Sequence, residues 1–214
     1  MSGIVLAWDT STNTGTAAVG KAGDVLSSRT FATEKGHTGK LMMVVDVMLD
    51  DLGAGQADIE AIAVGTGPGN FTGVKVGVAT AKGMALGLEV PLLGVSTLDL
   101  LIPSDTGGLP VVTVMDARRG TLYAGFYDGT PGREYICASP QAVADAARGL
   151  PGEEVLLAGM ETAELASVLR ESGRRVSEVR STPDAAKLIG MFFSGERATG
   201  DAVSVMPLYL KPPV

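Results

Sequence analysis

The chain has one cysteine, one histidine and one tryptophan among its 214 residues, and aromatic residues make up only 5% of it. With Cys137 alone, no intrachain disulfide can form, which fits a reducing compartment. No histidine or cationic cluster lies near it in sequence, so a buried, unreactive thiol is expected. His37 is the only histidine, so no two-His metal motif can exist within the chain. It falls at a helix entrance and reads as a polar residue there; no metal site and no cofactor are expected. A serine hydrolase has no support either, because the G-x-S-x-G elbow is missing. Long apolar runs are absent, and none approaches the roughly 20 residues that cross a bilayer. The first residues lack a basic stretch and an apolar core, so no signal peptide is expected and the location is read as cytoplasmic.

Charge is scarce as well, at 19% of residues, and the net charge is −7. A polyanion such as tRNA is repelled by such an average surface. Arg118 with Arg119, and Arg174 with Arg175 and Arg180, are small basic clusters that read as solvated surface. What the chain does have is 45% hydrophobic residues and 29 glycines. That composition builds a core of small and branched side chains.

Ile4 to Trp8 reads as a buried strand ending at Asp9. Thr16 to Val19 and Asp24 to Phe31 continue it as an antiparallel meander. The helical spacing of Leu41, Val45, Met48 and Leu52 predicts a helix over 37–52, stopped by Gly53 and Gly55. Then come a strand over 59–64, a Gly-rich loop, a helix over 72–88, a strand over 91–95 and a short helix from Ser96 through Ile102. The order βββαβαβα predicts a mixed sheet covered by helices. Residues 103–110 make a boundary, dividing the chain into lobes 1–104 and 105–214. The opening pattern then repeats weakly: a strand over 111–115 ends at Asp116, and a turn leads to a strand over 122–127. Helices are expected near 140–148, 162–172 and 183–194, with a short strand over 155–157.

Duplicated lobes that each deliver an Asp into a hairpin turn are similar to the actin, hexokinase and Hsp70 superfamily. There such turns hold the phosphates and metal of ATP. Asp9 and Asp116 would be the carboxylates; the alternative is that each caps its own turn. The lack of an adenosine-type Gly-Gly loop favours the cap. The loop Gly65-Thr66-Gly67-Pro68-Gly69-Asn70-Phe71-Thr72-Gly73 joins a strand to a helix, where N–H groups suit an anion, with Gly67, Gly69 and Thr72 as candidates. It lacks the Gly-Lys-Ser/Thr of a Walker loop.

The first long helix carries more apolar surface than one stripe needs. Met42, Val44 and Leu49 flank the stripe, and Met43 and Val47 extend it. In the second, Gly73 and Gly77, and Ala81 and Ala85, recur four apart, as do Gly83 and Gly87, which permits close backbone approach. Leu41, Met42, Met43, Val47, Gly73, Lys75, Gly77 and Ala81 are therefore read as a partner-binding surface.

Four stretches together resemble the TsaB (YeaZ) family: Ala7-Trp8-Asp9-Thr10-Ser11-Thr12, the Gly-rich block continued through Val74-Lys75-Val76-Gly77, Gly94-Val95-Ser96-Thr97-Leu98, and Met115-Asp116-Ala117-Arg118-Arg119-Gly120. The Pro207-Leu208-Tyr209-Leu210 ending fits too. The match is strong over 1–128 and thin beyond. Lys75 stands where the family usually has Arg, and Asn70 where Ser is common. The resemblance implies an α/β, actin-like (ASKHA, ribonuclease H-like) two-lobed fold with a shortened second lobe. It implies a non-catalytic subunit that forms homodimers alone and pairs with the catalytic paralogue TsaD. That paralogue forms threonylcarbamoyladenosine at position 37 of tRNA, in a complex joined by a TsaE-type ATPase. Contact with tRNA would be indirect. The competing reading is a small actin-fold ATPase or kinase.

Overall fold

The computed structural model describes residues 3–32, 37–129, 134–195, 200 and 202–211, with only the backbone described for 37–39. The His37 side chain thus lies outside the described residues. Strands β1 (Ile4–Asp9), β2 (Thr14–Lys21) and β3 (Asp24–Ala32) form an antiparallel meander. Helix α1 (His37–Asp51) leads to β4 (Ile59–Gly65), and α2 (Phe71–Leu88) leads to β5 (Leu92–Val95). Both later strands run parallel to β1, giving the order β3-β2-β1-β4-β5.

The next stretch repeats the pattern. Strands β6 (Val111–Asp116), β7 (Leu122–Tyr127) and β8 (Glu134–Ala138) are antiparallel. Helix α3 (Pro140–Ala147), β9 (Glu154–Gly159), α4 (Ala163–Glu171) and β10 (Arg175–Arg180) follow, with β9 and β10 parallel to β6. The order β10-β9-β6-β7-β8 is the first sheet's order again. The sequence reading contained neither β8 nor β10. Neither strand has a fully buried residue, so neither leaves an apolar run to recognise. The helix expected from Ser96 shrinks to one 3-10 turn over Asp99–Leu101.

A single boundary near 104 does not describe the chain. One compact unit is Met1–Leu100 with Pro183–Tyr209; the other is Leu101–Thr182 with Leu210–Val214. The reason is α5 (Ala185–Ser194), whose Ala185, Leu188, Ile189 and Phe192 pack on the first sheet against Val5, Ala7, Ala18, Ala61 and Ala63. Its start is fixed there too, since the Ala185 N–H donates to Thr16 Oγ1 at 3.0 Å and Asp184 caps Ala186 at 2.9 Å. The opposite face of that sheet, Ile4, Leu6, Trp8, Ile62 and Val64, meets α1 and α2. Period-two alternation along β1 thus feeds two cores from one strand. Within the second unit, Val112, Val114, Leu157, Val143 and Leu165 form a separate core under α3 and α4. No helix of the described residues is long and apolar enough to cross a membrane.

The glycines of α2 differ by face. A Cβ on Gly73 would collide with the Thr10 carbonyl oxygen, whereas Gly83 has nothing within 4 Å. Gly73→Ala is therefore expected to destabilise the protein by about 1–3 kcal/mol through overpacking. Gly83→Ala should stabilise it by about 0.5–1 kcal/mol by restricting the unfolded chain. Urea denaturation of both variants checks this; equal effects would mean that the two faces of α2 are not distinguished as described.

Candidate functional site

Three residues at the end of β1 and just beyond it hold α2 and the loop before it. The Trp8 Nε1–H donates to the Gly77 carbonyl at 3.0 Å, and the Thr10 hydroxyl donates to the Gly73 carbonyl at 2.7 Å. Both approaches need glycine, because a Cβ at Gly77 would strike Thr10 Oγ1. The Ser11 carbonyl accepts the Asn70 N–H at 2.6 Å, and Asn70 in turn caps α2 by accepting the Thr72 N–H at 3.2 Å.

Asp9 sits beneath this contact, 1% exposed. Its Oδ1 accepts the Ser11 N–H at 2.9 Å and the Ser11 hydroxyl at 2.6 Å, and its Oδ2 accepts the Thr97 hydroxyl at 2.6 Å. Gly65 makes room for it, since a Cβ there would collide with the carboxylate. Burial pushes the Asp9 carboxyl above its ordinary range, and the bonds from Ser11 and Thr97 offset only part of that.

Gly67 takes a left-handed φ of 89° that suits glycine, and the Gly67–Pro68 bond is cis. The Gly67 N–H donates to Thr97 Oγ1 at 3.1 Å, and its carbonyl accepts the Thr97 N–H at 2.7 Å and the Ser96 hydroxyl at 3.3 Å. The Leu208 N–H closes the far side on the Thr66 carbonyl at 2.8 Å. The N–H groups of Gly67, Asn70 and Thr72 are thus engaged within the chain. This first-unit turn and loop do not fit the phosphate and metal that the actin-like class holds with them.

In the second unit, Asp116 is exposed and accepts the Arg118 N–H at 2.7 Å. Arg118, Arg119 and Gly120 then take three successive left-handed conformations, with φ of 64°, 57° and 71°. Asp116 lines an open cleft of about 430 Å³ with Gly120, Thr121, Met160, Glu161 and Glu164. Three carboxyl-bearing side chains around one cleft repel a phosphate. Asp9 and Asp116 each accept hydrogen bonds within their own turns. No group of three or more His, Cys, Asp or Glu able to hold a metal occurs among the described residues.

The residues read as a partner surface separate into two sets. Leu41, Gly73, Gly77 and Ala81 are buried against the chain's own sheet and Met42 packs partly against that core, which corrects their reading as surface. Helical spacing identified a small-residue track but not which side of it the sheet occupied. Met43 and Val47 are exposed, at 68% and 52%. Lys75 is exposed, its Nζ 4.3 Å from the Phe71 ring centroid, and Phe71 packs against Tyr209 with centroids 5.2 Å apart and the rings tilted by 40°. Cys137 is half-buried rather than buried, its thiol 3.9 Å from the Thr121 hydroxyl. Sequence reasoning assigned no role to Trp8, Ser11 or Thr97 individually; a Ser-Thr pair leaving a buried strand is the signal that could have found Thr97.

The doubled sheet and the paired Asp turns define an actin-like α/β protein whose first turn has become a structural clamp. A family model described as "TsaD: tRNA N6-adenosine threonylcarbamoyltransferase" matches residues 25–182. The Escherichia coli (strain K12) tRNA threonylcarbamoyladenosine biosynthesis protein TsaB is 37% identical over 122 residues, 56% of this chain and 52% of that protein. The match thus spans about half the length of that relative. The Bacillus subtilis (strain 168) protein of the same name is 29% identical over 217 residues, 97% of this chain and 93% of that one. The solved structure of YeaZ from Pseudomonas aeruginosa superposes with a TM-score of 0.78 at 26% identity, covering 97% of this chain and all of that one. The chain belongs to the TsaB (YeaZ) family.

The buried carboxyl generates a pH prediction. Because the folded pKa of Asp9 lies above its ordinary value of 3.8, the folded state holds its proton more tightly than the unfolded state. The stability from this group is fully present below 3.8 and is lost as pH rises through the folded pKa. Asp9→Asn removes that titration. Its stability relative to wild type should be flat below 3.8 and shift in its favour above, with a limiting slope of about 1.4 kcal/mol per pH unit. Denaturation curves across pH for both proteins check this. A difference that stays flat, or moves toward wild type, would contradict the sign.

Proposed function

We propose that the chain acts in the biosynthesis of threonylcarbamoyladenosine in tRNA as a non-catalytic subunit. In this reading it binds and activates a catalytic paralogue of the TsaD type. The names of its Escherichia coli and Bacillus subtilis relatives support the pathway. The observation that carries the subunit role is on α1. Leu41, Val45, Met48 and Leu49 already fill the core, yet Met43 and Val47 remain outside it. On α2, Leu86 is exposed at 60%, and Gly83 and Gly87 open a flat track beside it. Covering Met43 or Val47 with a partner would contribute about 1–2 kcal/mol each, since each is only half to two-thirds exposed. Two copies of the chain meet through the same faces as a homodimer, and the paralogue replaces one copy. A TsaE-type ATPase joins the same complex.

The chemistry left to the chain itself is slight. The first-unit turn is engaged by its own hydrogen bonds, and the second-unit cleft is acidic. Direct contact with tRNA is not part of the reading. The net charge is −7, and Arg174 is turned onto the carbonyls of Gly152, Ala147, Arg148 and Leu150. In this reading the chain works in the cytoplasm.

Met43→Glu and Val47→Glu should each give a folded monomer that no longer binds the paralogue, since a desolvated carboxylate without a partner is costly. Size-exclusion chromatography and co-elution with the paralogue read this. Variants that dimerise and bind as wild type would sink the surface assignment.

The purified chain alone should neither bind ATP tightly nor turn it over. An ATPase abolished by Asp9→Ala or Asp116→Ala would instead favour a small actin-fold ATPase or kinase.

A further inference from the structure

Thr97 is fully buried just after β5, and it is the point where three separate segments meet. Its hydroxyl donates to Asp9 Oδ2 at 2.6 Å and accepts the Gly67 N–H at 3.1 Å, while its own N–H donates to the Gly67 carbonyl at 2.7 Å. One side chain therefore ties the β1–β2 turn to the Gly-rich loop. A hydroxyl can do both because it carries one donor and two lone pairs.

The segments it joins carry exposed residues beside the proposed interface. From Asp9 the chain runs to Ser11, whose carbonyl holds the Asn70 N–H at 2.6 Å at the start of α2. The next residue is Phe71, 39% exposed and packed against Tyr209. Tyr209 follows Leu208, whose N–H is bound to Thr66 two residues after β4's Val64. The same C-terminal segment is strapped to α2 by Lys82, whose Nζ donates to the carbonyls of Val203 and Val205 at 3.2 and 3.1 Å. Exposed Val203 and Met206 lie in this strap. The apolar surface beside α2 is thus built by chain segments that are held through the loop rather than by α2 alone.

We propose that Thr97 is a positioning residue for the partner-binding face: its two-way hydrogen bond to Asp9 and Gly67 fixes the loop that sets Phe71 and the C-terminal strap. It touches no partner itself. The inference rests on the subunit reading above and extends the surface from α1 and α2 to residues 203–209. It also gives the Asp turn a task within this chain in place of phosphate binding.

The test uses the full chain with Thr97→Val, which keeps the shape and removes the hydroxyl, and Thr97→Ser, which keeps the hydroxyl. Hydrogen exchange is measured at the Gly67, Asn70 and Thr72 amides, with α4 and α5 amides as internal controls. Binding to the TsaD-type paralogue and self-association are measured in parallel. Thr97→Val should speed exchange at the loop amides by about 10-fold or more without changing the controls, and weaken both associations by about 10-fold. Thr97→Ser should restore wild-type values. Wild-type loop exchange in Thr97→Val overturns the proposal, and so does a loosened loop with unchanged association. Should Thr97→Val fail to fold, Thr97→Ser decides: wild-type exchange and association support a role for the hydroxyl, and loosening with weakened control amides overturns it. Val47→Glu separates the two readings. If that variant associates normally, the α1 surface is wrong, whereas the loop-exchange comparison still reports on Thr97.

Discussion

The indole of Trp8 and the hydroxyl of Thr10 reach main-chain carbonyls inside α2, and they can do so only because residues 73 and 77 carry no side chain. This close approach fixes the distance between the central strand and the helix above it. It also determines what can lie at the strand's end. With α2 pressed onto the turn, Asp9 is enclosed, and the loop before α2 must bond to the turn rather than to solvent. Buried main-chain groups left unpaired would cost more than the bonds contribute, so the Gly67, Asn70 and Ser11 contacts are a requirement of the packing.

Enclosure has two opposing effects at Asp9. Removing a carboxylate from water is costly, and three donors return only part of the loss, so burial wins and the proton is held more tightly. A carboxylate intended for a hydrated metal would instead be partly exposed with a free oxygen. Asp116 is exposed but looks into a cleft with Glu161 and Glu164, where the local charge opposes an anion. The two turns share a topology, and each is ill suited to phosphate for a different reason, one through enclosure and the other through charge.

Much of this was legible in the sequence. The apolar run ending at Asp9, the stripe Leu41-Val45-Met48 and the Gly-rich loop marked the first sheet's strands along the chain, antiparallel then parallel, and both of its early helices, but not their order across the sheet. The α/β, actin-like class was implied by the resemblance to the TsaB (YeaZ) family, with the weak repeat of the hairpin pointing the same way. What escaped had physical causes. Strands β8 and β10 lie at the sheet edges with half-exposed side chains, and so lack an apolar signature. Helix α5 was found, but not its destination, because periodicity gives a face and not the sheet that receives it. The same limit put Gly73 and Gly77 on the outer surface of α2. Thr97 was seen only as part of a motif, since its partner Asp9 is 88 residues away.

Helix α1 separates the two uses of an apolar residue. Leu41 and Met48 are fully buried, so their removal would leave a cavity and act on folding. Met43 and Val47 lie on the same helix at 68% and 52% exposure, and the folded chain gains little from them. The hydrophobic free energy of that exposed part remains available to an association, at about 1–2 kcal/mol for each side chain covered. A helix that faces only its own sheet has no reason to carry them, because an apolar stripe is enough to dock it. The glycine-lined inner face of α2 and the surplus on α1 are therefore separate devices: the first holds the unit together, and the second is what the proposed partner would cover.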